Sequence, residues 1–157
     1  MKTLAFRSGR SSTEQRYFVL AHTAVEPSQA EWDAYCQAVA GVMPEARSTV
    51  HAFVATDGGG PNPAQRRQLA AAFARGRVEG WTHVFTTDGF VRGIVTAFRW
   101  IARAHATAHV PAEFAHVCTE CGLSPSHVLN DFVELQKELP RVHGIGLLEY
   151  SSQRPTP

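Results

Sequence analysis

Short apolar segments alternate along the chain with segments in which apolar residues recur at helical spacing. Strands are predicted at 17–22, 49–56 and 81–87, because each is a short run of aromatic and β-branched residues. Residues 4–6 and 107–110 are shorter candidates for strands. The centre of 49–56 is almost continuously apolar, which is typical of a strand buried on both faces of a parallel sheet.

Helices are predicted between these strands from their start signals. Ser28 with Glu31 forms a capping-box pattern at the start of the first helix, and Asn62 with Gln65 marks the start of the second. Asp88 can cap a third helix that continues to about residue 101. The rest of the chain adds two more predicted helices, 111–122 and 124–139.

This alternation predicts an α/β fold, with a mixed sheet of four to five strands flanked by helices. The added helix at 124–139 carries an apolar stripe, which would either pack back on the domain or dock a partner. We assign residues 1–143 to one domain and residues 144–157 to a polar C-terminal tail. A length of 157 residues fits a single domain with its own core.

Composition narrows the function classes. The formal net charge of +1 gives no electrostatic basis for binding nucleic acid or an anionic membrane. No apolar run approaches the roughly 18–20 residues of a membrane span, and the N-terminus lacks the apolar core of a secretory signal. The 3 cysteines do not form the pattern of a secreted disulfide framework. We therefore expect a cytoplasmic protein.

The loop after strand 49–56 is the segment that most suggests a function. Three glycines separate Asp57 from the next helix, and the Thr-Asp-Gly sequence recurs at 87–89, again between a strand and a helix. Such loops border the binding crevice of open α/β sheets, although Asp, Asn and Gly are also ordinary turn and capping residues. The residues expected to form a binding surface are Asp57, Gly58, Gly59, Gly60, Asn62, Gln65, Arg66, Asp88 and Arg92.

The segment VHAFVATDGGGPNPAQRRQL gives the chain a resemblance to the STAS domain of bacterial anti-sigma-factor antagonists, including its divergent, CRAL-TRIO-like members. The resemblance covers roughly residues 15–122 and rests mostly on the order of strands and helices. It implies a partner-binding surface around the glycine loop. The phosphorylatable serine that follows the aspartate in these antagonists is replaced here by Gly58, so the resemblance does not carry the phosphorylation switch.

We therefore expect a non-catalytic STAS-like protein-interaction module in a cytoplasmic regulatory or signalling assembly. Its partner would be another protein or a second copy of the chain, and we expect no cofactor and no metal ion. No P-loop or nucleophile-elbow motif points to an enzyme. Two other classes stay open: a protein that binds a small molecule or lipid beneath the third helix, and a metal-dependent phosphohydrolase that uses Asp57 and Asp88.

A CxxC sequence at Cys118 and Cys121, with His116 just before it, raises the question of zinc binding or redox chemistry. Phe114, Val117 and the two cysteines fall on one helical stripe, however, which favours packing into the core. His105 and His109 have the spacing of a zinc-ligand pair, but the alanines between and beside them and the predicted strand there argue against a helical ligand pair. We interpret both cysteines as core residues.

The chain has 8 histidines, which is many for its length. Their positions form no metal-binding motif, and we interpret most of them as packing or surface residues. His22, His51 and His83 lie in predicted strands, where one of them could face a crevice.

Overall fold

The computed structural model describes residues 1–89, 91, 92, 95 and 105–154. It has the predicted α/β architecture, in which helices cover both faces of one mixed sheet. Most of the helix predicted after Asp88 lies outside the described residues. None of the helices in the described part of the chain has both the length and the apolar character that a membrane crossing requires.

The five strands lie side by side in chain order. The first two are antiparallel, and each later pair is parallel. Right-handed crossovers between parallel strands taken in this order all leave the sheet on the same face. The strands are β1 (Leu4–Arg10), β2 (Arg16–His22), β3 (Val50–Thr56), β4 (Gly80–Phe85) and β5 (His105–His109), which confirms all five predicted strands.

Five helices with complete boundaries surround the sheet. The first two pack on one face, where the crossovers place them, and the last three pack on the other. They are α1 (Gln29–Val42), α2 (Pro63–Phe73), α3 (Phe114–Glu120), α4 (Pro125–Gln136) and α5 (His143–Gln153). We call the side covered by α1 and α2 the crossover face, and the side covered by α3, α4 and α5 the C-terminal face.

Both helix starts predicted from the sequence are present, and each has a capping box. The Ser28 hydroxyl accepts a hydrogen bond from the Glu31 N–H at 3.2 Å, and the Ser28 N–H donates to the Glu31 carboxylate at 3.1 Å. Asn62 and Gln65 exchange the same pair of bonds at 2.9 and 3.0 Å. Because these bonds join residues three apart, α1 and α2 begin where the local sequence places them.

The added helix α4 packs back on the domain. Val128, Phe132 and Leu135 on its apolar stripe are fully buried in the core of the C-terminal face. The stripe is therefore part of the core and does not form an exposed docking surface.

Helix α5 corrects the assignment of residues 144–157 to a polar tail. Ile145 and Leu148 are buried in the same core as α4. Gly144 lies so close to the end of β3 that a Cβ there would be 3.2 Å from the backbone N and O atoms of Thr56. The segment has few apolar residues, so its helix depends on contacts that sequence periodicity does not reveal.

Candidate functional site

A cavity of about 240 Å³ lies on the crossover face. Side chains of four strands and two helices line it, together with Val91 and Val95, which follow β4. Its walls are largely apolar and include Leu20, Trp32, Val54, Leu69, Val84 and Val91. An apolar cavity of about 150 Å³ admits benzene, so this cavity has room for a somewhat larger organic molecule.

Two residues in the wall of this cavity each carry a buried polar atom. His22 on β2 is 2% exposed and Tyr35 on α1 is 0% exposed. Among the described residues, neither the His22 Nδ1 atom nor the Tyr35 hydroxyl has a hydrogen-bond partner. Leaving such an atom unsatisfied costs about 1–3 kcal/mol. Two residues of the cavity wall therefore carry hydrogen-bonding capacity that the described protein groups do not use.

Trp32 lies next to both of these residues and shows the contrast. Its ring centroid is 6.1 Å from that of His22 and 5.5 Å from that of Tyr35. Its indole N–H donates to the backbone oxygen of Gln65 at 2.8 Å, which ties α1 to α2. The tryptophan is thus satisfied by the fold, unlike the two polar atoms beside it.

Both polar groups are uncharged at neutral pH. Burial lowers the pKa of His22 to about 4, against the opposing effect of the Glu31 carboxylate. Burial also raises the pKa of the Tyr35 hydroxyl. A neutral imidazole and a phenol can each donate or accept one hydrogen bond in the cavity. They suit a ligand with neutral polar groups.

The glycine loop forms one end of the cavity, and the structure explains why glycine is needed at two of its positions. Gly58 has a φ of 110°, which side chains rarely adopt. The Gly59 N–H donates to the backbone oxygen of Thr23 at 3.0 Å, and a Cβ on Gly59 would lie 2.2 Å from that oxygen. A Cβ on Gly60 would meet open space. Two of the three glycines are thus required, Gly58 by its backbone conformation and Gly59 by close packing against Thr23.

Asp57 holds α5 in place. Its two carboxylate oxygens accept hydrogen bonds from the backbone N–H groups of His143 and Gly144, each at 2.8 Å. These are the first N–H groups of α5, which have no partners inside the helix. The aspartate therefore caps a helix 86 residues further along the chain.

The remaining predicted site residues occupy two kinds of position. Gly58, Gly59, Gly60 and Arg66 line the cavity. Beyond their capping box, the Asn62 amide donates to the Glu26 carboxylate at 2.7 Å, and the buried Gln65 amide donates to the backbone oxygen of Pro27 at 3.1 Å. The Asp88 carboxylate accepts from the Val91 N–H at 3.3 Å, and the Arg92 N–H donates to the Asp88 backbone oxygen. The structure thus gathers part of the predicted set at the cavity and uses most of the rest in helix caps.

A second cluster of functional side chains lies on the C-terminal face. It consists of His51 on β3, His83 on β4 and Cys121 at the end of α3, and their nitrogen and sulfur atoms lie within 4.8 Å of one another. Cys118 is fully buried, as expected of a core residue, whereas Cys121 is half-buried. The three residues of this cluster could hold a metal ion.

Sequence reasoning identified neither group as a unit. In the sequence, Tyr35 falls at helical spacing with the apolar residues of the first helix, and His22 is one of three histidines in predicted strands. The cue available for His22 was a polar residue at the end of an otherwise apolar strand. His51 and His83 are 32 residues apart and His83 and Cys121 are 38 apart, so no local spacing marks them.

Comparison of the chain with protein-family models, with curated proteins and with solved structures finds no match. The resemblance to the STAS domain therefore stays a prediction, and the function has to be argued from the geometry.

Proposed function

We propose that this chain is a small-molecule-binding protein whose ligand occupies the cavity on the crossover face. The ligand is largely apolar and carries one or two uncharged polar groups. The observation that carries this proposal is an apolar cavity whose wall includes His22 and Tyr35, each with a buried polar atom that has no partner among the described residues. Binding sites of this kind combine apolar walls with a few placed polar groups.

The free energies favour this use of the cavity. A ligand that accepts from the Tyr35 hydroxyl removes a penalty of about 1–3 kcal/mol that the unliganded protein carries. Burial of the ligand's apolar surface adds about 25 cal/mol per Å². The specificity of the site then comes from the two polar groups, and most of the affinity comes from the walls.

The glycine loop has a place in this proposal as the rim of the cavity. Gly58, Gly59 and Gly60 present backbone at this end of the site, without side chains that would fill it. Arg66 follows them on α2. The loop was expected to contact a protein partner, and the proposal keeps it as a binding element for a smaller ligand.

The other two function classes stay predictions with less support. A protein-interaction surface centred on Asp57, Asn62 and Gln65 would use side chains that already hold the fold together. A phosphohydrolase using Asp57 and Asp88 would need a cation on carboxylates that cap two different helices.

A matched pair of substitutions on β5 tests the proposal. Ala106 lines the cavity, whereas Ala108, two residues along the same strand and therefore on the same face, does not. Both are half-buried. We expect Ala106→Phe to fill the cavity and Ala108→Phe to leave it open.

The probe is 2-naphthol, a neutral bicyclic molecule with one hydroxyl group whose fluorescence reports binding. We expect the wild type and Ala108→Phe to bind it equally, and Ala106→Phe to bind at least tenfold more weakly. Mass spectrometry of organic extracts from the purified proteins should find a compound that Ala106→Phe does not retain. If the probe bound equally to all three proteins, or if neither method found binding to the wild type, the cavity would not be a ligand site.

A further inference from the structure

The histidine and cysteine cluster on the C-terminal face presents three ligand atoms to one point. The Nδ1 atom of His51 is 3.0 Å from the Nε2 atom of His83, and that Nε2 atom is 3.6 Å from the Cys121 sulfur. The two histidines come from neighbouring parallel strands, and the cysteine comes from the helix packed above them. Rigid elements therefore hold all three residues.

The two separations that involve His83 are close to those of a tetrahedral zinc site. Zinc–nitrogen bonds of about 2.0–2.1 Å and a zinc–sulfur bond of about 2.3 Å place tetrahedral ligand atoms about 3.3 Å (N to N) and about 3.6 Å (N to S) apart. The observed distances are 3.0 and 3.6 Å for the pairs that include His83. All three ligand atoms lie within 4.8 Å of one another. Small movements of the half-buried His51 and Cys121 side chains would bring both onto one ion.

Hydrogen bonds made by its other ring nitrogen orient His83 for this role. Its other ring nitrogen, Nδ1, lies 3.1 Å from the Thr107 hydroxyl and 3.4 Å from the His109 Nε2 atom. His109 in turn lies 3.0 Å from the Glu113 carboxylate. Metal-binding histidines typically donate the second N–H to such a partner, which directs the lone pair of the first nitrogen at the metal. When the Nδ1–H of His83 donates to the Thr107 hydroxyl, the lone pair of the His83 Nε2 atom faces His51 and Cys121.

A hydrogen bond between the two histidines is the simpler interpretation of the 3.0 Å contact. In that interpretation one ring N–H lies between His51 and His83, and the Cys121 sulfur has no role in the contact. The sulfur, however, approaches the same Nε2 atom that the hydrogen bond would use. Three metal-ligand atoms from three separate segments lie close to one point. A bound cation would account for this arrangement.

We propose that His51, His83 and Cys121 bind one Zn²⁺ ion per chain and leave the fourth coordination position open to water or a small ligand. A thiolate with two imidazoles is a soft to intermediate donor set that suits zinc and disfavours magnesium or calcium. Three protein ligands with an open position are typical of zinc sites that act on a bound molecule, whereas structural sites usually have four. This site lies across the sheet from the cavity and does not depend on it.

The neighbouring cysteine of the CxxC provides a matched control. Cys118 is fully buried in the core and belongs to the same helix. If the site is built as proposed, Cys121→Ala removes a ligand and Cys118→Ala does not. His51→Gln removes a second ligand from a half-buried position on β3. Circular dichroism and thermal unfolding would establish whether each variant is folded.

The experiment is titration of the metal-free protein with Zn²⁺ against a competing chelator, followed by Co²⁺ substitution. We expect one Zn²⁺ per chain, and for Co²⁺ the intense visible bands of tetrahedral geometry with a thiolate charge-transfer band. Cys121→Ala and His51→Gln should weaken binding by more than 100-fold, and Cys121→Ala should abolish the charge-transfer band. Thr107→Val, which removes the hydroxyl that bonds to the Nδ1 atom of His83 and to His109, should weaken binding by about 10–100-fold.

Three results would overturn the proposal. The first is the absence of stoichiometric Zn²⁺ binding by the folded wild-type protein. The second is binding that Cys121→Ala and His51→Gln leave unchanged, and the third is binding that Cys118→Ala abolishes while Cys121→Ala does not, because in either case the ion would be bound elsewhere.

Discussion

Replacement of Tyr35 by phenylalanine tests two effects of the Tyr35 hydroxyl: the stability that it costs the unliganded protein and the affinity that it gives a ligand. The ring of Tyr35 packs against Phe6, Phe18 and Trp32 at centroid distances of 5.3, 5.8 and 5.5 Å. Phenylalanine keeps these contacts and removes only the hydroxyl, which has no hydrogen-bond partner among the described residues. The substitution should therefore stabilise the unliganded protein while it weakens ligand binding.

The expected size follows from the penalty of about 1–3 kcal/mol for an unsatisfied buried polar group. Any water that reaches the hydroxyl through the cavity reduces this penalty, so we expect a gain of about 1 kcal/mol in the free energy of unfolding. For a chain of this length, that gain raises Tm by about 2–4 °C. Affinity for a ligand bonded to the hydroxyl should fall about fivefold, the equivalent of about 1 kcal/mol.

Tyr17 is the matched control. It is 1% exposed, and its hydroxyl donates to the Asp131 carboxylate at 2.5 Å. Hydrogen bonds to charged groups contribute about 1.5–3 kcal/mol, so Tyr17→Phe should destabilise the protein by about that amount. Urea unfolding of both variants, with the protein stripped of ligand, measures the two free energies. If Tyr35→Phe destabilised the protein as much as Tyr17→Phe does, the Tyr35 hydroxyl would have a partner in the folded protein, and the polar basis of the binding proposal would be refuted.

Three further predictions test how the loop and the buried histidine support the fold. Asp57→Ala should lower the free energy of unfolding by about 0.5–2 kcal/mol, the usual effect of losing a helix cap, and should increase hydrogen exchange at the start of α5; unchanged exchange would contradict the capping role. Gly59→Ala should destabilise by about 1–3 kcal/mol because of the 2.2 Å approach to backbone, whereas Gly60→Ala, in open space, should be close to neutral in the same urea assay. The pKa of His22 falls from 6.5 to about 4 on folding, so the unfolded chain takes up a proton first as the pH is lowered. The free energy of unfolding should therefore decrease from pH 6.5 towards pH 4 by up to about 3 kcal/mol, at 1.36 kcal/mol per unit of pKa difference. His22→Asn should reduce this slope without abolishing it, because the pKa of buried His83 is also lowered, to about 3, and acts in the same direction. His116→Gln at an exposed position should leave the slope unchanged, and an equal slope in both variants would contradict the assignment.

Local signals were sufficient for most of the fold. The strands were readable because each buries a run of apolar residues, and the starts of α1 and α2 were readable because their capping boxes join residues three apart. Helix α5 was not readable, since Gly144 and Gly146 interrupt a short apolar segment that no local cap precedes. Its cap is Asp57, and its stability comes from burying Ile145 and Leu148.

The candidate sites divide in the same way. The sequence by itself determined that a glycine loop follows β3 and that a helix starts at Asn62, because turn geometry and capping involve neighbouring residues. Only the tertiary structure decided which side of the sheet each side chain faces and what it meets there. His22 and Tyr35 join one cavity wall because α1 crosses over β2, and Cys121 reaches His51 and His83 because α3 packs above two adjacent strands. Contacts between distant segments depend on strand order and helix packing, which residue spacing along the chain does not encode.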